Sequence, residues 1–239
     1  MKKHRGLLLD ELREKITCLE TFRRPDAARA VPSGIDSLDR LLGERGFPRG
    51  ALVEWFDRCE GAAATTLALL AARGACADGG ALVVLDRRGE FYPVEAVRWA
   101  IDLDRLIVVR PTTRAEIAWA GCEVLRQPVV GALLAWPGRI AGRDFRRMQL
   151  AVEQGGGLGL LVRPATDRGQ PSWAEVRLLV EPLASGNDAR RRLRIHLLRA
   201  RGVRGQPSVD VEIDEPTCRV YSIAQLADST AAIGAARAS

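Results

Sequence analysis

Six short apolar runs punctuate the middle of the chain: ALVEWF (51–56), ALVVLD (81–86), RLIVVR (105–110), VVGALLAW (129–136), LGLLV (158–162) and VRLLVE (176–181). Runs this continuous suit strands covered on both faces, so they predict a largely parallel sheet. The intervening segments ATTLALLAARGACA, VEAVRWAI, AEIAWAGCEVLR and FRRMQLAVEQ have helical composition, and Gly or Pro marks most of the joins. Strands alternating with helices in this way predict an α/β crossover fold.

The pattern changes at both ends. In RRLRIHLL, residues Leu193, Ile195 and Leu197 share one face, and in VDVEID so do Val209, Val211 and Ile213. With GVRGQPS between them, the two stretches predict an antiparallel hairpin at the end of the sheet. Near the N-terminus, Leu8, Leu12, Ile16 and Leu19 recur at helical spacing, which predicts an amphipathic helix within residues 1–24. Two partners suit its apolar stripe: its own domain, or another subunit. The breaker-rich stretch TFRRPDAARAVPSG follows, so residues 25–50 are expected to be a linker and the lead-in to a core spanning 51–221. The small, polar stretch 222–239 is expected to fray.

Composition narrows the function classes. The chain has 239 residues, with 47% hydrophobic and 28% charged, which suits one globular domain. Lys2, Lys3 and Lys15 are its lysines, so Arg supplies 33 of its 36 basic residues, and the net charge is +6. Arg favours phosphate and carboxylate contacts through its planar fork. A GC-rich genome produces the same bias, so charge alone points only weakly to nucleic acid. Cys18, Cys59, Cys76, Cys122 and Cys218 are scattered, and His4 and His196 are the histidines, which leaves no metal-site spacing and predicts no metal. No apolar run reaches bilayer length, and a cytoplasmic protein with reduced thiols is expected. The G-x-S-x-G, H-E-x-x-H and post-strand G-x-G-x-x-G patterns of hydrolases and dehydrogenases do not occur.

The segment ALVEWF–DRCEGAAA–TTLALLAA has the strand–loop–helix order in which a P-loop protein holds phosphates. The side chains for that chemistry are missing. Laying G-x-x-x-x-G-K-[ST] over it with Thr65 as the hydroxyl puts Arg58 and Ala63 at the glycines and Ala64 at the lysine. Gly61, Thr65 and Thr66 are what remains of the loop. A phosphate cradle needs converging backbone N–H groups and a cation, and a metal site needs an acid after a later core strand. There ALLAW ends in Ala135 and Trp136 before Pro137. Asp86 ends another strand and reads as a strand-end cap. A nucleotide-binding fold without ATP hydrolysis is therefore expected, with no cofactor.

The passage VPSGIDSLDRLLGERGFPRGALVEWF (31–56) resembles the approach to a RecA-type core, in which a TG…LD…LG.GG.P.G…E signature precedes the first central strand. The resemblance continues through TTLALLAA as the P-loop helix, ALVVLDRRGEFYP as the second-strand region and RRLRIHLLRARG as the hairpin near the family's ATP cap. It covers about residues 7–221. Among RecA relatives, a small size and an eroded loop are similar to the ImuA group, sometimes labelled SulA-like, which is encoded beside ImuB and an error-prone DnaE-type polymerase in mutagenesis cassettes. The resemblance implies a RecA-like fold and a regulator of DNA damage tolerance. Its implied partners are RecA, ImuB and that polymerase.

Arg88 stands where the family has its catalytic Glu. Arg199 and Arg201 match the family's Lys-x-Lys pair, which reaches ATP on the adjacent subunit. They read equally as solvated turn arginines or as partners of Asp210, Glu212 and Asp214. Arg139, Arg143, Arg146, Arg147, Arg163, Arg168 and Trp173 fall where RecA's DNA loops lie and are candidate nonspecific DNA contacts, with Arg190, Arg191, Arg192 and Arg194 adding charge. Trp55, Trp99, Trp119 and Trp136 are expected to pack. Two other readings stand: an active divergent ATPase using Arg58 as its cation, and a SulA-like cell-division inhibitor.

Overall fold

The computed structural model describes residues 30–43, 46–59, 61, 63–184 and 190–223. The expected N-terminal helix, with Leu8, Leu12, Ile16 and Leu19, and the tail beyond 223 lie outside the described residues.

The elements are β1 (Ala30–Val31), α1 (Asp36–Leu41), β2 (Phe47–Pro48), β3 (Ala51–Asp57), α2 (Ala64–Cys76), β4 (Ala81–Leu85), α3 (Pro93–Arg98), β5 (Leu106–Val109), α4 (Arg114–Leu125), β6 (Val130–Ala135), α5 (Gly142–Gly155), β7 (Leu158–Pro164), β8 (Val176–Pro182), β9 (Arg190–Arg199), β10 (Ser208–Asp214) and β11 (Arg219–Ser222). β1 and β2 form a small sheet of their own, and nine strands form the main sheet in the order β11-β10-β9-β8-β3-β7-β6-β4-β5. All six runs expected as strands are present, and the pairs β8–β3, β3–β7, β7–β6, β6–β4 and β4–β5 are all parallel. This is the RecA-like α/β fold, with α2 on one face and α4 and α5 on the other.

The alternation of side chains explains why these runs are apolar at every position. On β3, Val53 and Trp55 join the core under α2, while Leu52 joins the core under α4 and α5. On β4, Leu82 and Val84 face α2, and Val83 and Leu85 face the other layer. Helix α2 is buried over most of its surface, which accounts for the alanines interleaved with Leu67, Leu69 and Leu70. Gly155 ends α5 where a Cβ would collide with the Leu125 carbonyl oxygen, so only glycine lets α5 close against α4.

Three features differ from expectation. The lead-in is not a free linker from Val31 onward: Val31, Ile35, Leu38, Leu42 and Phe47 are buried, and the Phe47 ring meets Trp55 edge-on at 5.9 Å. The expected hairpin β9–β10 forms part of a longer antiparallel extension, because β9 also pairs with β8 and β11 pairs with β10. Trp119 is 61% exposed on α4, whereas Trp55 and Trp99 are buried.

Register aligns the carboxyl ends of the parallel strands. Val109 pairs with Leu85, Leu85 with Ala135, Ala135 with Leu161 and Leu161 with Glu54. The loops that follow these residues therefore emerge along one edge, where open α/β sheets carry their sites.

Candidate functional site

Strand β3 ends at Asp57, and α2 begins at Ala64. A helix N-terminus presents unpaired N–H groups and a positive dipole end, which in P-loop proteins meet phosphate. Here Asp57 Oδ1 accepts the Ala64 amide at 3.0 Å. The chain turns into the helix through Gly61 at φ 78° and through Ala63 at φ 67°, a left-handed residue that costs roughly 1–2 kcal/mol without glycine. Burial raises the Asp57 pKa, while the Ala64 N–H and the Arg191 charge oppose the shift.

Neighbouring strands brace this loop. Arg191 on β9 donates to the Gly61 carbonyl and to Glu215 Oε1, the latter at 2.9 Å, and Arg98 donates to the Glu215 carbonyl at 2.8 Å. The Arg58 amide donates to the Val180 carbonyl at 3.0 Å, and its guanidinium lies 3.8 Å from Glu181, which also meets His196 at 3.0 Å. Arg58, the cation required by an active-ATPase reading, is thus drawn toward β8. Beyond β6, the Trp136 indole N–H donates to Thr65 Oγ at 3.3 Å. Thr66 is half-buried beside it on α2.

On the next strand, Asp86 accepts the amides of Gly89, Glu90 and Phe91 at 2.9–3.1 Å, which makes it the strand-end cap the sequence suggests. Arg88 is exposed, 3.7 Å from Glu90.

The basic candidates fall into separate environments. Arg139, Arg143, Arg147 and Arg168 are exposed. Arg143 and Arg147 lie 3.9 and 3.8 Å from Asp144. Arg146 is half-buried, with its guanidinium 4.7 Å from the centre of the Trp173 ring, which is itself 47% exposed.

Arg163 departs from its expected role because it is 2% exposed. It pairs with the fully buried Glu54 and donates to Asp167 at 3.3 Å and Gln170 at 2.6 Å. Glu54 also accepts from Ser172 and Arg177, each at 2.7 Å. The network fixes the segment after β7, and Arg163 serves it as a structural cation. The sequence reading missed Glu54 and Asp57. A lone acid within ALVEWF and an Asp directly after it were the available signals.

The charge run on β9 is likewise not free for nucleic acid. Arg194 and Asp210, Arg192 and Glu212, and Arg190 and Asp214 stand opposite one another in register. Their side chains pair at 2.6, 3.1 and 3.5 Å, and Asp210 is held below its ordinary pKa by hydrogen bonding from Arg194. Arg199 donates to the Ser172 carbonyl at 3.4 Å, and Arg201 lies in the exposed turn after β9.

Comparison with known proteins follows the same stretch of chain. Residues 14–128 match the family described as the RecA N-terminal domain. Protein RecA of Chloroflexus aurantiacus is 39% identical over 99 residues, 41% of this chain and 28% of that protein. Protein RecA of Rhodopirellula baltica is 37% identical over 95 residues, 40% of this chain and 25% of the relative. Protein RecA of Francisella philomiragia is 37% identical over 83 residues, 35% and 23% respectively. The chain thus spans about a quarter of the length of these relatives. With the sheet order described above, the chain carries a RecA-like fold and is similar to the RecA N-terminal domain over residues 14–128.

Proposed function

We propose that this protein is a RecA-like regulator of DNA damage tolerance that works without hydrolysing ATP. The observation that carries the reading is the Asp57 carboxylate on the amide of Ala64, at the helix end where a phosphate would sit. A triphosphate brought there would meet a carboxylate, an alanine in place of the lysine, and a loop pinned by Arg191. The metal position fits no better, since an indole N–H cannot coordinate a cation and Trp136 already occupies the Thr65 hydroxyl. These residues do not fit a magnesium-bound nucleotide.

Assembly surfaces persist where the nucleotide chemistry is lost. β5 is an edge strand with Ile107 exposed, and the nearby segments expose Leu103, Val94 and Val97. An edge unpaired among the described residues, beside apolar side chains, suits docking of another chain. Interface complementarity and nucleotide bridging are separate contributions, so a unit that keeps the first and loses the second terminates a polymer or adapts it to other partners. By resemblance to the ImuA group, those partners are RecA, ImuB and an error-prone DnaE-type polymerase. The consequence is restrained strand exchange and favoured translesion synthesis. Exposed Arg139, Arg143, Arg147, Arg168 and Trp173 supply nonspecific DNA contact.

A pull-down against RecA filaments, paired with an ATP-turnover assay, tests the reading. Retention by RecA with no turnover above background is expected. Hydrolysis comparable to that of RecA, or no RecA contact, contradicts it.

A further inference from the structure

The arginines at the carboxyl edge of the sheet divide into two populations. Those near β8–β10 are neutralised by facing acids, as described above. On the opposite half, Arg87 follows β4, Arg110 and Arg114 follow β5, and Arg139 follows β6. All four are exposed, and none makes an ion pair or side-chain hydrogen bond among the described residues. The pairing of Val109 with Leu85 and of Leu85 with Ala135 aligns the three strand ends, so the loops carrying these guanidinium groups leave the sheet side by side. The local acids are largely engaged. Asp86 is filled by three backbone amides, Glu116 accepts from Thr112 at 2.7–3.1 Å, and Glu90 lies near Arg88.

An exposed ring stands at the same edge: Tyr92, in the loop after β4, is 65% exposed. Neighbouring strands are separated by about 4.8 Å, so the two steps from β6 through β4 to β5 cover ~10 Å. The cations of that row can meet successive phosphates, with the exposed Tyr92 ring beside them. Unpaired guanidinium groups beside an exposed ring are what sequence-independent single-strand binding uses: charge for the backbone and a flat surface for a base. An acidic peptide would use the charge and leave the ring without a role.

We propose that the carboxyl edge of β6, β4 and β5 is a track for single-stranded nucleic acid, with Arg87, Arg110 and Arg114 on phosphates and Tyr92 stacked on a base. The track rests on the DNA-contact part of the proposed function and extends it beyond the loops after β6 and β7. All of these side chains are exposed, so their removal leaves the core intact.

The test is fluorescence anisotropy of a labelled oligo-dT with the full chain across a salt series. Replacing Arg87, Arg110 and Arg114 together by Ala is expected to weaken binding about tenfold or more and to reduce the log–log salt slope by about 2, the share of three phosphates on a single strand. Tyr92→Ala is expected to weaken oligo-dT binding and to leave inorganic polyphosphate binding unchanged. If the triple variant matches wild type while Arg139→Ala/Trp173→Ala loses affinity, the track is overturned and DNA contact by the other loops stands. If the unaltered chain does not bind oligo-dT, both fall. If polyglutamate displaces the oligonucleotide at equal charge concentration and Tyr92→Ala has no effect, the edge belongs to an acidic protein and the nucleic-acid assignment is wrong.

Discussion

Asp57 and Ala64, seven residues apart, close the loop between β3 and α2 through a single 3.0 Å hydrogen bond from amide to carboxylate. The bond gives α2 an intramolecular anion at its positive end and supplies the Ala64 amide with an acceptor from the chain itself.

Removing the Asp57 charge should alter stability in a pH-dependent way. Burial holds the Asp57 pKa above its ordinary 3.8. A carboxyl raised on folding favours the native state fully below its unfolded pKa, and that contribution is lost as pH rises through the folded value. Asp57→Asn keeps an oxygen for the Ala64 amide and removes the titration. Denaturant midpoints of the Asn variant near neutral pH should equal or exceed those of the wild type. The wild-type advantage should grow as pH falls toward 3.8. Asp57→Ala, which abandons the amide, should cost about 1 kcal/mol.

Breaking the buried pair should loosen the segment after β7. Glu54 and Arg163 have side chains 0% and 1% exposed, so Glu54→Gln leaves a guanidinium charge without its carboxylate in a dry site. A loss of about 3–5 kcal/mol is expected in urea unfolding. Hydrogen exchange should rise across 165–175, where Asp167, Gln170 and Ser172 depend on the same cluster. Unchanged exchange there would contradict the bracing role.

Cysteine chemistry should separate by environment. Cys59 is exposed in the loop, Cys76 is pushed up to about 11 by burial, and burial also raises Cys122. Alkylation near neutral pH, mapped by mass spectrometry, should label Cys59 well before Cys76 or Cys122, because the thiolate is the reacting form. Simultaneous labelling of Cys76 would show that α2 opens more readily than its packing implies.

The sequence makes the parallel strands legible because burial on both faces leaves an apolar signature at every position of runs such as ALLAW and LGLLV. That no lysine stands between β3 and α2 is equally plain, since an absent residue type needs no geometry to detect. The self-capping at Asp57 could not be read, because an Asp after a strand reaches the helix amide only if the loop takes one particular path through Gly61 and Ala63. The sequence alone leaves Arg163 among the DNA contacts because its partner Glu54 lies 109 residues away. Arg190, Arg192 and Arg194 read as free charge for a related reason: only the β9–β10 register shows each facing an acid.

Titration calorimetry of the full chain with magnesium ATP decides whether the loop between β3 and α2 admits a nucleotide. A loop already closed by Asp57, with Trp136 on the Thr65 hydroxyl, predicts no binding tighter than about 1 mM. Magnesium-dependent binding at about micromolar affinity, abolished by Thr65→Val, would contradict it.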